Sequence, residues 1–273
     1  ILNIPKNKNI KFIKANIVNF QLTKITKKID GVIHLAAQAS VPLSISQFKE
    51  SSKINLVGMI NIMDFCLKNK IPIVYASSSA IYGNLEIGDD QNTESDILSP
   101  YALDKYVMEE YSKLFFDIYG LSSIGLRFFN VYGPKQDSSN PYSGVISIFS
   151  EQINNDQSIT INGGHQTRDF IYVDDVVLCI MAALKEVSKK SICEQVNILT
   201  GKSYSIDYLA NQISRITEKK ININYKELPK GDPEKSSGSI EKMEKVLKVN
   251  SSNFTNFSSG LTKTIEFFKR RSE

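Results

Sequence analysis

The chain contains few of the residues from which metal sites and disulfide frameworks are built. Its 273 residues include three cysteines, Cys66, Cys179 and Cys193, and two histidines, His34 and His165. The cysteines are far apart and lie in or beside apolar runs, so we expect buried thiols in a reducing compartment. With two histidines and no cysteine pair, we predict no metal site.

Long apolar runs and basic blocks are also missing. The longest apolar run, residues 176–184, has nine residues, whereas a membrane-spanning helix needs about 20. No signal peptide precedes the first predicted strand, so we expect a cytoplasmic protein without a membrane partner. Lys and Arg number 33 against 29 Asp and Glu, and they are spread along the chain. This charge pattern does not favour a nucleic-acid partner, but it is compatible with an anionic small-molecule substrate.

What is present is an alternation of short apolar runs with helical patterns. Residues 10–15, 31–37, 71–77 and 121–129 are predicted as strands, and 48–70 and 101–119 as helices. Asp174 and Asp175 are predicted to begin a further helix, where carboxylates suit the helix dipole. Strands that are apolar throughout and alternate with helices indicate a parallel sheet in an α/β fold. Ala36–Ala37 and Ser77–Ser78 follow two of these strands, at the sheet edge where such folds bind ligands.

A tyrosine and a lysine lie four residues apart on the second predicted helix. Tyr101 and Lys105 therefore project from the same face, and the ammonium is expected to favour the ionised phenol. The hydroxyl of Ser78 would then be a second hydrogen-bonding group on the same substrate oxygen. Taken alone, the spacing is most often that of a core tyrosine beside a lysine whose charged end reaches solvent.

Six segments together carry a family resemblance. They are residues 34–37, 55–58, 77–83, 101–105, 127–134 and 166–175. In this order they resemble the extended short-chain dehydrogenase/reductase family, in particular its nucleotide-sugar epimerases and dehydratases, of which the UDP-hexose 4-epimerases are the most similar.

The resemblance implies a fold, a cofactor and an assembly. The fold would be a Rossmann-like doubly wound parallel sheet, truncated at its N-terminus, with a smaller C-terminal α/β domain. Residues 1–134 and 169–199 would bind NAD, and residues 135–168 and 200–273 would bind the nucleotide-sugar. A homodimer is expected through helices 48–70 and 101–119, which would form a four-helix bundle.

The resemblance also implies roles for individual residues. Catalytic roles are expected for Ser78, Tyr101 and Lys105. NAD contacts are expected for Asn16, Ala36, Ala37, Asn55, Ser77, Tyr101, Lys105 and Phe129. Substrate contacts are expected for Ser78, Ser79, Asn130, Arg168, Lys230, Asp232 and Ser236. The loop over 228–232 departs from the family pattern Arg-x-Gly-Asp, because this chain lacks that arginine. Lys230 is expected to replace it as a point charge on the diphosphate, with less geometric specificity.

The residues after Ser78 limit which reactions the family resemblance allows. The dehydratases that the sequence resembles have Asp-Glu at this point, but here Ser79 and Ala80 follow, and neither can act as acid or base in water elimination. What remains is 4-epimerisation through a transient 4-keto sugar, with a cofactor that is regenerated in each turnover. The small Ser236 predicts that N-acetylated as well as plain UDP-hexoses fit. A uronate epimerase, a reductase and a non-catalytic nucleotide-sugar-binding relative remain as alternatives.

One family element is absent from the sequence. The family begins with a glycine-rich turn that cradles the cofactor pyrophosphate, yet no Gly-x-x-Gly-x-x-Gly occurs in this chain. On the order of 40 N-terminal residues are expected to be missing. We therefore expect the 273-residue fragment alone to be inactive, an expectation that tightly bound NAD in the purified fragment would contradict.

Overall fold

A parallel sheet forms the centre of the chain. The computed structural model describes residues 7–20, 28–92, 94–138, 143–228 and 232–272. Within them, four parallel strands pair in the order β1–β2–β3–β7. The strands are β1 Val32–His34, β2 Ile73–Ser78, β3 Ser123–Phe128 and β7 Cys193–Ile198. The predicted α/β class with a parallel sheet is confirmed.

Helices bury both faces of this sheet, as the alternation of side chains along β2 shows. Ile73 and Tyr75 pack with the helices that precede and follow β2 in the chain, whereas Val74 points to the opposite core. The first face is covered by α3 Gly58–Asn69 and α4 Pro100–Tyr119, and the second by α6 Val173–Val187 and α8 Glu241–Leu247. Two short helices, α1 Val41–Ser46 and α2 Phe48–Ser52, pack against α4. A strand buried on both faces has no polar side to present to solvent, which explains its continuous apolar sequence.

Residues that favour helix ends mark both ends of α4. The Ser99 side chain accepts a hydrogen bond from the Ala102 N–H, Pro100 occupies the first turn, and Gly120 ends the helix with a left-handed backbone. Each feature satisfies or removes a backbone group that a helix end would leave unpaired. The predicted helix over 101–119 therefore agrees with the structure to within one residue, as does the helix begun by Asp174 and Asp175.

The predicted helix over 48–70 is not regular. A π-helical turn, Lys53–Val57, separates α2 from α3. The turn contains Asn55, which is buried and whose side chain hydrogen-bonds to residues outside the helix. A local widening of this kind is frequent at functional sites.

The predicted strand over 10–15 is wrong. This segment is irregular, and Ile10, Phe12 and Ile13 are exposed. A strand needs a neighbouring strand to receive its backbone hydrogen bonds, and within the described residues none lies beside this segment.

The remaining elements surround a second hydrophobic core. Its centre includes Tyr132, Phe149, Leu209, Phe257 and Leu261. The elements that contribute are β4 Asn130–Tyr132, α5 Val145–Asn154, β5 Ile159–Asn162, β6 Thr167–Tyr172, β8 Ser203–Ser205, α7 Ile206–Thr217, β9 Ile223–Lys226 and α9 Phe257–Ser272. Strand β6 pairs in parallel with β4 and antiparallel with β8, and β5 pairs with β9. The division of the chain between cofactor and substrate stays a prediction.

No helix in the described part of the chain combines the length and the apolar character that crossing a membrane would require.

Candidate active site

Ser78 and Tyr101 meet at the carboxyl edge of the central sheet. Ser78 is the last residue of β2, and its hydroxyl oxygen accepts a hydrogen bond of 3.2 Å from the Ala80 N–H. This bond caps a short 3-10 turn, Ser79–Tyr82. The Ser78 hydroxyl also faces the phenol of Tyr101 and acts to lower the pKa of that phenol. The structure thus brings together two of the three predicted catalytic side chains.

Lys105 lies one helical turn after Tyr101 and is buried. Its Nζ donates a hydrogen bond of 2.7 Å to the Ala76 carbonyl oxygen and lies 5.7 Å from the centroid of the Tyr101 ring. Burial lowers the pKa of Lys105 to about 8, against the opposing effect of the carboxylates of Asp104 and Glu109. Since the bond to Ala76 uses one N–H donor and is its sole hydrogen bond among the described residues, two donors stay available to a ligand.

The expected effect of Lys105 on Tyr101 is wrong for this structure. Burial raises the pKa of Tyr101, the Ser78 hydroxyl lowers it, and the charge of Asp104 raises it again. In this structure the Lys105 ammonium donates to the Ala76 carbonyl, and burial outweighs any stabilisation of the phenolate. Desolvation of the phenolate is therefore the main influence on the pKa of Tyr101.

The loop after β1 is tied to the helix that carries the catalytic side chains. The Gln38 N–H donates to Asn55 Oδ1 at 2.9 Å, and Asn55 Nδ2 donates to the Gln38 carbonyl at 3.2 Å and to Asp104 Oδ2 at 3.0 Å. These bonds hold Ala36, which is exposed, and Ala37, which is half-buried, at the carboxyl end of β1. Two small side chains there leave space for a ligand beside the sheet edge.

Three predicted cofactor residues have other surroundings. Asn16 is exposed, its side chain accepts a hydrogen bond from the Val18 N–H, and no described contact joins it to the other predicted residues. Ser77 is buried, and its hydroxyl donates to Glu109 Oε1 at 2.5 Å. Phe129 is buried with its ring centroid 6.3 Å from that of Tyr82.

A second cluster contains predicted substrate residues. Arg168 Nη2 donates to Asp232 Oδ1 at 2.6 Å, and Asn130 Nδ2 lies 3.4 Å from Ser236 Oγ. Asn130 also donates to the backbone carbonyl of Asp169, which follows Arg168 on β6. An arginine beside an amide and a hydroxyl can hold an anionic group such as a diphosphate.

The segment that carries Asp232 and Ser236 is fastened at two places. Backbone hydrogen bonds join residues 234–236 to Thr167 and Asp169 of β6. Further along, Gly238 forms a β-bridge with Gly88, which lies in the loop after the 3-10 turn. The segment that carries Asp232 and Ser236 is therefore connected to the loop that follows Ser78. The predicted residue Lys230 lies outside the described residues.

Sequence reasoning missed a buried ion pair behind the site. Arg127 donates to Glu109 Oε1 at 2.9 Å and to Oε2 at 2.6 Å, and its Nη1 donates to the Tyr82 hydroxyl at 2.7 Å. The available signal was the spacing of Tyr101, Lys105 and Glu109 at four-residue intervals, which places all three on one face of α4.

The two histidines give no sign of metal binding. Burial, and after it the charge of Lys105, lower the pKa of His34 to about 4, so this imidazole is neutral at pH 7. His165 lies exposed in a turn. Among the described residues, no group of three or more His, Cys, Asp and Glu side chains is placed to hold a metal ion.

Comparison with known proteins gives a consistent set of relatives. The model of the NAD dependent epimerase/dehydratase family matches residues 3–198. A putative UDP-glucose 4-epimerase of Methanocaldococcus jannaschii is 42% identical over 209 residues, which are 74% of this chain and 67% of that protein.

Solved structures agree with the sequence comparisons. The UDP-N-acetylglucosamine 4-epimerase of Methanobrevibacter ruminantium M1, in complex with UDP-N-acetylmuramic acid, is 32% identical with a TM-score of 0.91, covering 98% of this chain and 86% of its own. The UDP-glucuronic acid 4-epimerase of Bacillus cereus, in complex with UDP-glucuronic acid and NAD, is 27% identical with a TM-score of 0.89, covering 97% and 83%.

Proposed function

We propose, since the chain belongs to the NAD-dependent epimerase/dehydratase family, that it interconverts UDP-hexoses at C4. The substrates proposed are UDP-Glc and UDP-Gal together with UDP-GlcNAc and UDP-GalNAc. One observation carries the proposal: the Ser78 hydroxyl and the Tyr101 phenol face each other at the carboxyl edge of the sheet, with Lys105 one helical turn away. Family membership confirms the predicted resemblance and the NAD dependence that goes with it.

The residues at the sheet edge fit NAD. The two remaining N–H donors of Lys105 would bind ribose hydroxyls, and the small side chains of Ala36 and Ala37 would let the dinucleotide approach the end of β1. When bound, NAD supplies the oxidant that takes hydrogen from C4 and returns it. Asn16, Asn55, Ser77 and Phe129 remain proposed cofactor contacts.

The proton chemistry falls to Tyr101. Its phenol oxygen would take the proton of the C4 hydroxyl and later return it to the 4-keto sugar, while the Ser78 hydroxyl binds the same substrate oxygen. Ser79 and Ala80 provide no further acid or base after Ser78, which favours epimerisation over dehydration. The raised pKa of Tyr101 means that ligand charge and Lys105 together must favour the phenolate before it can act as the base.

The substrate diphosphate is assigned to the second cluster. Arg168 and Asn130 would bind it, with Asp232 orienting the guanidinium through the 2.6 Å ion pair. Residues 135–168 and 200–273, with Lys230 and Ser79 as further contacts, would then form the substrate side of the protein. Rotation of the 4-keto sugar about this fixed diphosphate would present its other face for the return of hydrogen.

The test is a substrate comparison without added NAD. The protein produced from its full gene is incubated with UDP-GlcNAc, UDP-Glc and UDP-glucuronic acid, and the sugar products are resolved by chromatography. We expect C4 epimers of the first two, and none with Tyr101→Phe, which keeps the ring and removes the hydroxyl. If no epimer forms even with NAD supplied, the proposal is wrong, and consumption of NAD(P)H would then identify a reductase.

A uronate epimerase is the second candidate. It is favoured by the solved UDP-glucuronic acid 4-epimerase, which covers 97% of this chain with a TM-score of 0.89. In the same assay, epimerisation of UDP-glucuronic acid alone would replace our substrate assignment and leave the C4 chemistry intact.

Ser236 is the proposed determinant of sugar size. It is half-buried beside Asn130 and small enough to leave space for an acetamido group. Ser236→Tyr should reduce activity on UDP-GlcNAc relative to UDP-Glc, whereas the control Ser236→Ala, which stays small, should keep the ratio. An unchanged ratio in Ser236→Tyr would contradict this assignment.

A homodimer through helices 48–70 and 101–119 is also proposed. Phe48, Leu103, Leu114 and Ile118 are exposed on these helices at 64%, 49%, 50% and 59%. Light scattering should give twice the monomer mass, and Ile118→Lys should lower it. A monomer in the unmutated protein would contradict this proposal.

A further inference from the structure

Helix α4 carries an unassigned acid in line with the catalytic side chains. Tyr101, Lys105 and Glu109 follow one another at four-residue intervals and therefore share one face of the helix. Glu109 is 3% exposed, and its two oxygens are both engaged by Arg127 from strand β3. A pair with two parallel hydrogen bonds fixes the orientation of the guanidinium and the carboxylate as well as the distance between them.

The hydrogen bonds of this pair reach the chain on both sides of Ser78, at Ser77 and at Tyr82. On one side, the Ser77 hydroxyl donates to Glu109 Oε1 at 2.5 Å. On the other side, Arg127 Nη1 donates to the hydroxyl of Tyr82, the last residue of the 3-10 turn that Ser78 caps. The backbone before and after Ser78 is thus anchored to the same two charges.

We propose that the Glu109–Arg127 ion pair is a positioning element of the catalytic centre, which fixes the Ser78 hydroxyl against Tyr101 and holds the Lys105 ammonium in its charged form. This inference rests on the proposed function. Glu109 itself contacts neither the phenol nor the expected ligand space, so it acts through Ser77, Tyr82 and Lys105.

The charges around Lys105 predict how its pKa changes when Glu109 is replaced. Asp104 and Glu109 on its own helix favour the ammonium, while burial lowers its pKa to about 8. Two uncharged groups also face Lys105. They are His34 of β1, which is neutral at pH 7, and the ring of Tyr101, one helical turn away. Removing the charge of Glu109 leaves Asp104 as the remaining nearby anion, so the pKa of Lys105 should fall further.

The charges around Glu109 show which variant to use. It faces Arg127 and Lys105 as cations, and the phenols of Tyr75 and Tyr82. Replacing Glu109 alone leaves Arg127 without a counter-ion in a buried position, which is strongly destabilising. A double variant, Glu109→Gln with Arg127→Met, removes both charges and keeps an amide oxygen that can accept from Ser77.

The experiment measures kcat, KM and the pH profile of kcat/KM for Glu109→Gln, for the double variant and for a control. The control is Glu186→Gln on α6, whose carboxylate side chain is 5% exposed and pairs with Lys248 at 2.9 Å on the other face of the sheet. It reports the effect of losing a buried carboxylate away from the site.

We expect kcat to fall about 10- to 100-fold in both Glu109 variants with little change in KM, because misplacement of a reacting group by about 1 Å can cost this much. The alkaline limb of the profile should move to lower pH by about half a unit or more. Glu186→Gln should change neither quantity.

Unchanged kcat and an unchanged alkaline limb in the folded double variant would overturn the inference while leaving the epimerase proposal intact. If the unmutated protein shows no turnover, the proposed function fails separately. The pKa of Lys105, measured by NMR with 13C-labelled lysine, then decides the inference: a lower value in Glu109→Gln supports it, and an equal value overturns it.

Discussion

Removing the hydroxyl of Tyr82 should destabilise the fold far more than removing that of an exposed tyrosine. In the structure this hydroxyl accepts from Arg127 Nη1 and donates to Asn197 Oδ1, both at 2.7 Å. Tyr82→Phe leaves a buried guanidinium N–H without its acceptor, which costs about 1.5–3 kcal/mol, and an amide oxygen without its donor, which costs about 1 kcal/mol. The free energy of unfolding should therefore fall by about 2.5–4 kcal/mol.

The matched control is Tyr225→Phe. The Tyr225 hydroxyl also makes a hydrogen bond, to Asp207 Oδ1 at 3.1 Å, but the residue is 60% exposed. Water replaces that bond, so the change should stay within about 0.5 kcal/mol. Urea unfolding followed by circular dichroism gives both values from the shift in midpoint at constant slope. Equal midpoints for the two variants would refute the assignment of Tyr82 and Arg127 to a tightly satisfied buried network.

Two further outcomes follow from the described geometry. Burial raises the pKa of Asp169 from 3.8 to about 6, so its folded state holds a proton more tightly and its contribution to stability falls as pH rises from about 4 to 6. The stability of the unmutated protein relative to Asp169→Asn should thus decrease by up to about 3 kcal/mol across that window in pH-dependent urea unfolding, and a flat difference would contradict it. Gly83 has φ +52° and an added Cβ would overlap the Asp96 carbonyl oxygen, whereas at Gly120, with φ +69°, nothing lies within 4 Å of such a Cβ. Gly83→Ala should lower the melting temperature clearly more than Gly120→Ala, which carries only the strain of about 1 kcal/mol; equal shifts would show that the contact relaxes freely.

The sequence was sufficient to predict those elements in which the local pattern and the tertiary contacts favour the same structure. Helix α4 was predicted to within a residue because Pro100 and Gly120 mark its ends and its apolar stripe faces the core. Strand β2 was predicted because a strand buried on both faces is apolar throughout. Ser78, Tyr101 and Lys105 could be placed together because strand ends and the following helix meet at one edge of the sheet.

The errors arose where distant residues decide the outcome. The strand over 10–15 has the right composition but lacks a described partner to pair with. The π-helical turn at Lys53–Val57 accompanies hydrogen bonds from Asn55 to residues 17 and 49 positions away. The pKa of Tyr101 depends on burial and on where the Lys105 ammonium points, and neither can be derived from a four-residue spacing.

The bridge between Gly88 and Gly238 has a consequence for how the protein is made. Glu86, in the loop after Ser78, accepts a hydrogen bond from Ser237, 151 residues later in the chain. At about 5–20 residues per second, a ribosome needs roughly 8–30 s to supply that partner. The loop after Ser78 therefore stays without this hydrogen-bond partner, and accessible to proteases and chaperones, until most of the C-terminal part of the chain has been synthesised.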